Sequence, residues 1–373
     1  MKLGFIVNPI AGMGGRVGLK GTDGVLKEAI ARGAKPIAPE RAVDFLRELK
    51  ENMMETEIEI LTCPSVMGEK EAKKANIKAK ILPMKIGKET SAEDTKEAVK
   101  LLLEAKVDLI VFVGGDGTAK DIFDAMKYCD GTIPVLGVPS GVKMYSGIFA
   151  VNPSDAAEVV LAFAKNQAEV GEFEIMDANE RAIRDDTFAV NLYGFLKGPF
   201  LPMRIQGSKQ VTPETVDEKE NQTAIAKFII EEMRPKATYI LGPGTTVKRI
   251  ADLLGFKKTV LGVDIYKDGQ MILDVDEKKI FEEVEDWQNT WIILSPIGRQ
   301  GMLLGRGNQQ ISPEIIKRVG KQKIIVAATK GKLQSIEGGV LRVDTGDKSV
   351  DDLLRGYIRV ITDYREWRLM PVQ

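Results

Sequence analysis

Apolar and polar positions follow two different rhythms over the first 150 residues. Residues 3–8 and 108–113 are apolar almost throughout, and 109–113 read Leu-Ile-Val-Phe-Val. Runs this short and this hydrophobic predict strands buried on both faces of a parallel sheet. Further strands are expected at 57–62 and in the apolar run 133–138, with a weaker one at 77–82. Residues 40–54 and 91–105 instead repeat apolar side chains at helical spacing. Strands alternating with helices predict an α/β fold whose N-terminal sheet is parallel and covered on both sides.

Past residue 150 the pattern changes. Strands are expected at 172–176, 181–192 and 258–273, paired in hairpins, with Lys267-Asp268-Gly269-Gln270 as one turn. A long helix is expected near 214–233. The expected organisation is an α/β phosphate-binding domain over 1–150 and a β-rich substrate domain over 151–343, with the active site in the cleft between them. Residues 344–373 either close the second domain or return to the first, and the pattern leaves both open.

Composition narrows the chemistry. The 373 residues are 44% hydrophobic, enough for two cores, and 53 basic against 54 acidic side chains leave a net charge of −1. No overall field favours nucleic acid or an anionic membrane, and no apolar run reaches membrane-spanning length. Cys63 and Cys129 lie too far apart in the chain for a disulfide framework or a zinc ligand set, so a reducing cytoplasm is expected. There is no histidine. His-based acid–base catalysis, Ser-His-Asp triads and histidine metal sites are therefore excluded. Charges such as Lys236, Lys257, Lys258, Glu282 and Glu285 are expected on solvated faces.

The strand at 109–113 empties into Gly114-Gly115-Asp116-Gly117-Thr118, with Thr118 expected as the N-cap of the helix that follows. A turn needs one glycine, not three. Three remove the Cβ atoms that would hold a ligand's phosphates away from backbone N–H groups. A carboxylate among such amides is unfavourable unless it has a task. Asp116 either takes a proton from an attacking hydroxyl or holds a magnesium ion that bridges phosphates. A second glycine cluster, carrying Gly12, Gly14, Gly15, Arg16 and Lys20, follows the first strand. It matches neither a dinucleotide fingerprint nor a Walker A loop, since Val17 and Leu19 stand where each requires glycine. It is either a mobile surface loop or a second wall of the phosphate site. After the 133–138 strand, Ser140, Gly141 and Lys143 leave room for an anion and a cation to meet it. Farther on, Arg306 and Asn308 sit in Gly305-Arg306-Gly307-Asn308, which reads equally as a phosphate and adenine contact or as a hairpin turn. Leu241-Gly242-Pro243-Gly244-Thr245-Thr246 reads either as another anion-binding turn or as a helix cap.

Gly114 to Thr118, together with Asn8-Pro9 and the glycine loop after the first strand, resembles the superfamily of NAD kinases, diacylglycerol kinases and sphingosine kinases. Within it the chain most resembles the ATP-NAD kinase family, in the branch related to acetoin catabolism protein X. Residues 12–21, 137–143, 241–246 and 301–313 carry that closer match. The resemblance implies an N-terminal α/β domain and a β-rich second domain. It implies transfer of the γ-phosphate of ATP, or a phosphate of polyphosphate, to the 2′-hydroxyl of the adenosine ribose of NAD, giving NADP. Asp116 would be the base, and Asn8, Gly114, Gly115, Gly117, Thr118, Ser140 and Gly141 would line the phosphates, with Mg2+ as cofactor. NAD and ATP would be the partners, with no nucleic acid and no membrane, and a homodimer or homotetramer as the assembly. Lipid kinases continue the motif with Asn-Glu; here the positions hold Lys120 and Asp121, so the acid is retained and the amide is replaced by a cation. The later Asn-acid dipeptide of NAD kinases has only loose counterparts in Val151-Asn152-Pro153 and Ala178-Asn179-Glu180. A kinase for a lipid or metabolite hydroxyl, or a nucleotide-binding regulator without turnover, are the alternatives.

Overall fold

A computed structural model describes residues 1–19, 26–53, 56–87, 89–127, 133–141, 144–178, 190–201, 216–298 and 300–373. The chain divides into two compact units.

In the first unit, β1 (Lys2–Val7), β2 (Glu59–Thr62), β3 (Ala79–Ile81), β4 (Leu109–Gly114) and β5 (Val135–Pro139) form one parallel sheet in the order β3-β2-β1-β4-β5. Helices α1 (Leu26–Ala31), α2 (Ala38–Asn52), α3 (Glu69–Lys74), α4 (Ala92–Glu104), α5 (Asp116–Met126) and α6 (Pro153–Ala164) complete the α/β alternation. The central strands bury both faces, as their unbroken apolar runs require. Leu109, Val111 and Val113 pack with Phe45 and Leu46 of α2 and Val159 and Val160 of α6. Ile110 and Phe112, one residue out of phase, pack with Val99 and Leu102 of α4 and Ile122 of α5. The strand order reverses between β1 and β4, the position where open α/β sheets leave a crevice beyond their carboxyl ends.

This unit runs past the expected boundary at residue 150. The long strands β6 (Glu169–Ala178) and β7 (Val190–Phe200) pair antiparallel and pack against α5 and β5, so they belong to the first unit and not to the second. The reason is a pair of close approaches: a Cβ at Gly194 would stand 2.4 Å from the Phe123 ring, and one at Gly198 would stand 2.6 Å from the Val135 carbonyl. The strand expected at 181–192 falls mostly outside the described residues. Cys63 is fully buried here, which pushes its thiol up to about 12 and leaves it inert; Cys129 lies outside the described residues.

The second unit is β-rich, and its seven-stranded sheet has a parallel centre. Its order is β10 (Gln270–Ile272), β9 (Asp264–Lys267), β8 (Thr238–Leu241), β11 (Thr290–Leu294), β13 (Ile324–Ala327), β15 (Gly356–Asp363), β16 (Glu366–Val372). Strands β8, β11, β13 and β15 run parallel, and the outer strands antiparallel. A small parallel pair, β12 (Met302–Leu304) and β14 (Arg342–Val343), stands beside it. Helices α7 (Val216–Glu232) and α8 (Thr245–Leu253) cover one face through Ile225, Ile229, Val247 and Ile250. Helices α9 (Glu277–Glu283), α10 (Pro313–Val319), α11 (Lys330–Gln334) and α12 (Lys348–Leu354) supply the apolar side chains of the other.

The hairpin turn at Lys267–Gln270 forms as expected, with Asp268 at φ 51° and Gly269 at φ 71°, the backbone that a two-residue turn demands. The last thirty residues close the second unit, because β15 lies parallel to β13 and β16 folds back on β15. Lys258 departs from the expected solvated position: its side chain has 0% exposure and pairs with Asp264, 3.0 Å away and equally buried. Among the described residues, no helix is long and apolar enough to cross a membrane.

Candidate active site

Three turns converge at the carboxyl ends of the neighbouring strands β1, β4 and β5. Asn8, just past β1, donates its backbone N–H to the Val113 carbonyl (3.0 Å) and its side-chain amide to the Thr118 hydroxyl (2.9 Å). Its own carbonyl side-chain oxygen accepts from Ile10 N at 3.3 Å. The Ser140 N–H reaches the Gly114 carbonyl at 3.0 Å. The glycines are required here by space. A Cβ at Gly114 would lie 2.5–2.9 Å from the Thr118 side chain, and one at Gly141 would lie 3.3 Å from the Gly115 Cα. Gly12 has φ +79°, and a Cβ there would sit 1.8 Å from the Ser140 carbonyl oxygen. The turns therefore touch backbone to backbone, which leaves main-chain amides as the local surface chemistry.

Replacing Gly12 with Ala is expected to force the first and third turns apart. The left-handed φ alone costs about 1–2 kcal/mol for a residue with a Cβ, before the overlap with Ser140 is counted. Thermal melting of the variant and its ATP affinity check this. Both values at the parental level would show that the contact is dispensable.

Asp116 opens α5, with Gly115 as its N-cap in an extended conformation and no side-chain cap. The helix thus starts three residues before the position expected from a Thr118 cap. Thr118 lies inside the first turn, where its hydroxyl receives the Asn8 amide instead of capping the helix. The physical reason is that an acid in the first turn already offsets the positive helix end, and Gly115 supplies the extended backbone before it. Asp116 is 9% exposed. Its Oδ2 accepts from Tyr145 N at 2.7 Å and its Oδ1 accepts from Ser146 N at 2.9 Å. Ser146 Oγ in turn accepts from Met176 N of β6 at 2.9 Å. The carboxylate therefore anchors the segment after β5 as well as facing the amides of its own turn. Burial, and secondarily the Asp116 charge, push the Tyr145 phenol above its ordinary pKa, so it stays neutral. These two partners escaped sequence reasoning because they act through backbone N–H groups 29 and 30 residues away, which no side-chain type signals.

Ser140 is 2% exposed and, among the described residues, its hydroxyl has no hydrogen-bond partner. A buried hydroxyl left unpaired costs about 1–3 kcal/mol, and a ligand oxygen at the turns would relieve it. Gly117 and Asp121 lie half-buried on α5. Lys120 is tied to Asp177 of β6 at 2.6 Å and lies over the Tyr193 ring at 4.7 Å, so it braces the hairpin.

The remaining expected site residues divide between the two units and the residues outside the description. Gly14 is buried in the loop after β1, but Gly15 and Arg16 pack with the second unit, where the Arg16 carbonyl accepts from Glu277 N at 3.1 Å. Arg16 is exposed. Lys20 and Lys143 lie outside the described residues. Arg306 and Asn308 belong to the second unit. Asn308 is fully buried: its Oδ1 accepts from Gly305 N and its Nδ2 donates to the Leu303 carbonyl, both at 2.9 Å. Its amide thus braces its own loop and is not displayed to a ligand. Arg306, 4% exposed, donates to Gln300 Oε1 at 2.9 Å. Asn152 caps α6 through Asp155 N at 2.8 Å, which accounts for it without a dinucleotide, and Asn179 and Glu180 lie outside the described residues. Among the described residues, no three acidic or cysteine side chains gather as a metal-ligand set.

Comparison with known proteins follows the two halves of the chain. The model of the ATP-NAD kinase N-terminal domain matches residues 3–168, and that of the ATP-NAD kinase C-terminal domain matches residues 235–372. No curated protein matches. Among solved structures, a diacylglycerol kinase from Bacillus anthracis str. Sterne is 19% identical, with a TM-score of 0.21, over 48% of this chain and 46% of that one. This chain thus spans less than half of that relative. UDP-GlcNAc 2-epimerase from Neisseria meningitidis is 10% identical, with a TM-score of 0.24, over 95% of this chain and 80% of that one. Likenesses at these TM-scores carry no argument about this fold or its chemistry. The family models do: they take up the parallel sheet with its glycine turns and the second sheet in the order the chain presents them, and the chain belongs to the ATP-NAD kinase family.

Proposed function

We propose that this protein is a kinase that moves the γ-phosphate of ATP, or a phosphate of polyphosphate, onto the 2′-hydroxyl of the adenosine ribose of NAD, producing NADP. Family membership supports the coarser statement, a phosphotransferase of the NAD kinase and diacylglycerol kinase superfamily. One observation carries the reading at the site. Glycine turns at the sheet's switch point present amides and a Ser140 hydroxyl that has no partner among the described residues, beside the acid Asp116. Amides, the N-terminal end of α5 and a hydroxyl suit the phosphates of a nucleotide. Asp116 would receive the proton of the attacking hydroxyl. Among the described residues no carboxylate cage forms, and magnesium would be carried in on the donor's phosphates, where the ion would spread their charge. The partners are the small molecules NAD and ATP, and the setting is the cytoplasm, with the chain in a homo-oligomer.

A second reading, nucleotide binding without turnover, has its own support: both Asp116 oxygens already accept main-chain N–H groups. A lipid acceptor is less well supported, because the cation at 120 is engaged by Asp177 where lipid kinases carry an amide.

Purified protein with magnesium, labelled ATP and a panel of acceptors separates these readings. Label in NADP is the expected result. Label in a lipid or another metabolite would replace NAD as the acceptor, and nucleotide binding without transfer would favour the regulator. Polyphosphate in place of ATP decides the donor.

A further inference from the structure

The second unit has a polar cluster of its own at the carboxyl ends of β8, β11 and β13. Lys332, on the short helix α11 after β13, donates from Nζ to Ser295 Oγ at 3.1 Å. Ser295 follows β11 and is 2% exposed. Among the described residues this is the only side-chain hydrogen bond of either group. Two N–H groups of the ammonium and the serine O–H are thus left without acceptors. Gly244 follows β8 at φ +117°, and a Cβ there would be 3.6 Å from the Ser295 Cβ, so the turn after β8 adjoins the pair. That turn opens α8, a nine-residue helix with Gly244 as N-cap and no side-chain cap, so capping does not account for the Gly-Pro-Gly-Thr-Thr sequence. Its first N–H groups have no intrahelical acceptors. Thr245 is held in place by the Gln222 amide at 3.2 Å.

One described charge acts on the ammonium. Glu218 of α7 raises the pKa of Lys332 and accepts from the Thr329 hydroxyl that caps α11 at 2.5 Å. Burial outweighs it and pushes the Lys332 ammonium down to about 8, while part of the residue's surface stays accessible. The unused groups of this cluster are donors, so a fitting ligand brings acceptors and negative charge.

We propose that Lys332, Ser295 and the first amides of α8 form an oxyanion site that takes inorganic phosphate or the phosphate group of a small monoester. It uses no residue of the first unit and stands whether or not that unit transfers phosphate to NAD. Free phosphate and a monoester share the recognising chemistry, so both are tested, as inorganic phosphate and as ethyl phosphate.

The experiment is calorimetric titration of the full chain at pH 7 and pH 9.5, with tungstate soaked into phosphate-free crystals. Lys332→Met is expected to remove one binding event, weakening it at least about tenfold, and Ser295→Ala to weaken it several-fold. ATP binding stays at the parental level in both. In the parent, affinity falls between the two pH values as the ammonium loses its proton. Lys332→Arg, which stays charged, keeps binding at pH 9.5 and guards against a folding defect in the methionine variant. Tungsten is expected within hydrogen-bond reach of Lys332 Nζ. Parental phosphate affinity in Lys332→Met overturns the proposal, as does a tungsten peak elsewhere. Tungsten at Lys332 with no binding in solution means an adventitious ion only and overturns it equally.

Discussion

Asp116→Asn is expected to lower phosphoryl transfer at least about 100-fold, the lower end of what a positioned proton acceptor contributes. The substitution keeps the volume and removes the charge. It also disturbs a contact the chemistry does not require. Oδ2 and Oδ1 accept from Tyr145 N and Ser146 N, and asparagine must turn an NH2 group toward one of those donors. Donor facing donor in a site 9% exposed leaves an unsatisfied amide, worth about 1–3 kcal/mol. The variant is therefore expected to lose stability in the first unit as well as turnover, while ATP affinity falls far less than the rate. Trp287, Trp291 and Trp367 all lie in the second unit, so tryptophan fluorescence is blind to this loss and far-UV circular dichroism is the suitable probe. Parental turnover in Asp116→Asn would remove the acid from the mechanism. Lost stability with unchanged turnover would leave it as the anchor of the segment after β5 and nothing more.

The largest stability effect is expected in the second unit, at Asp264. Its carboxylate accepts from Thr259 N and Thr259 Oγ1 at 3.0 Å and from Asp274 N at 2.6 Å, and Lys258 Nζ lies 3.0 Å away. Both side chains have 0% exposure. Removing one member of a buried pair strands the other charge, at about 3–5 kcal/mol. Asp264→Ala should fall at the upper end, because the ammonium loses its carboxylate partner while the Thr259 loop and Asp274 lose their acceptor. Lys258→Met should fall at the lower end, since three donors still serve the carboxylate. The double variant Lys258→Met, Asp264→Leu should recover part of the loss, because two buried charges vanish together. Denaturant unfolding followed by tryptophan fluorescence reads these changes in the unit that carries all three tryptophans. A change under about 1 kcal/mol in Asp264→Ala would show that the pair is replaceable by water.

Local pattern was enough for much of this protein. The apolar run at 109–113 announced a strand covered on both faces, and β4 is one. The helices α2, α4 and α7 and the Lys267–Gln270 turn also follow from spacing and turn chemistry. The glycines around Asp116 and after β5 pointed to close backbone approach, and the distances at Gly114 and Gly141 require it. The absence of histidine by itself removes whole classes of catalysis. Such features are legible because they depend on periodicity, side-chain volume and backbone dihedrals within a few residues.

What only the folded chain decided depends on partners far apart in sequence. The hairpin β6–β7 joins the first unit through contacts at Gly194 and Gly198, and the last thirty residues join the second through pairing of β15 with β13. Lys258 looks like a surface lysine until Asp264 is folded beside it. Asp116 looks like a free acid until Tyr145 and Ser146 arrive, and Asn308 looks like a ligand reader until its own loop consumes its amide. Lys332 and Ser295 attract no notice until β11 and β13 bring them within 3.1 Å. A side chain's type states which bonds it can make; only strand order and register, set by burying both sheet faces at once, select the partner it meets.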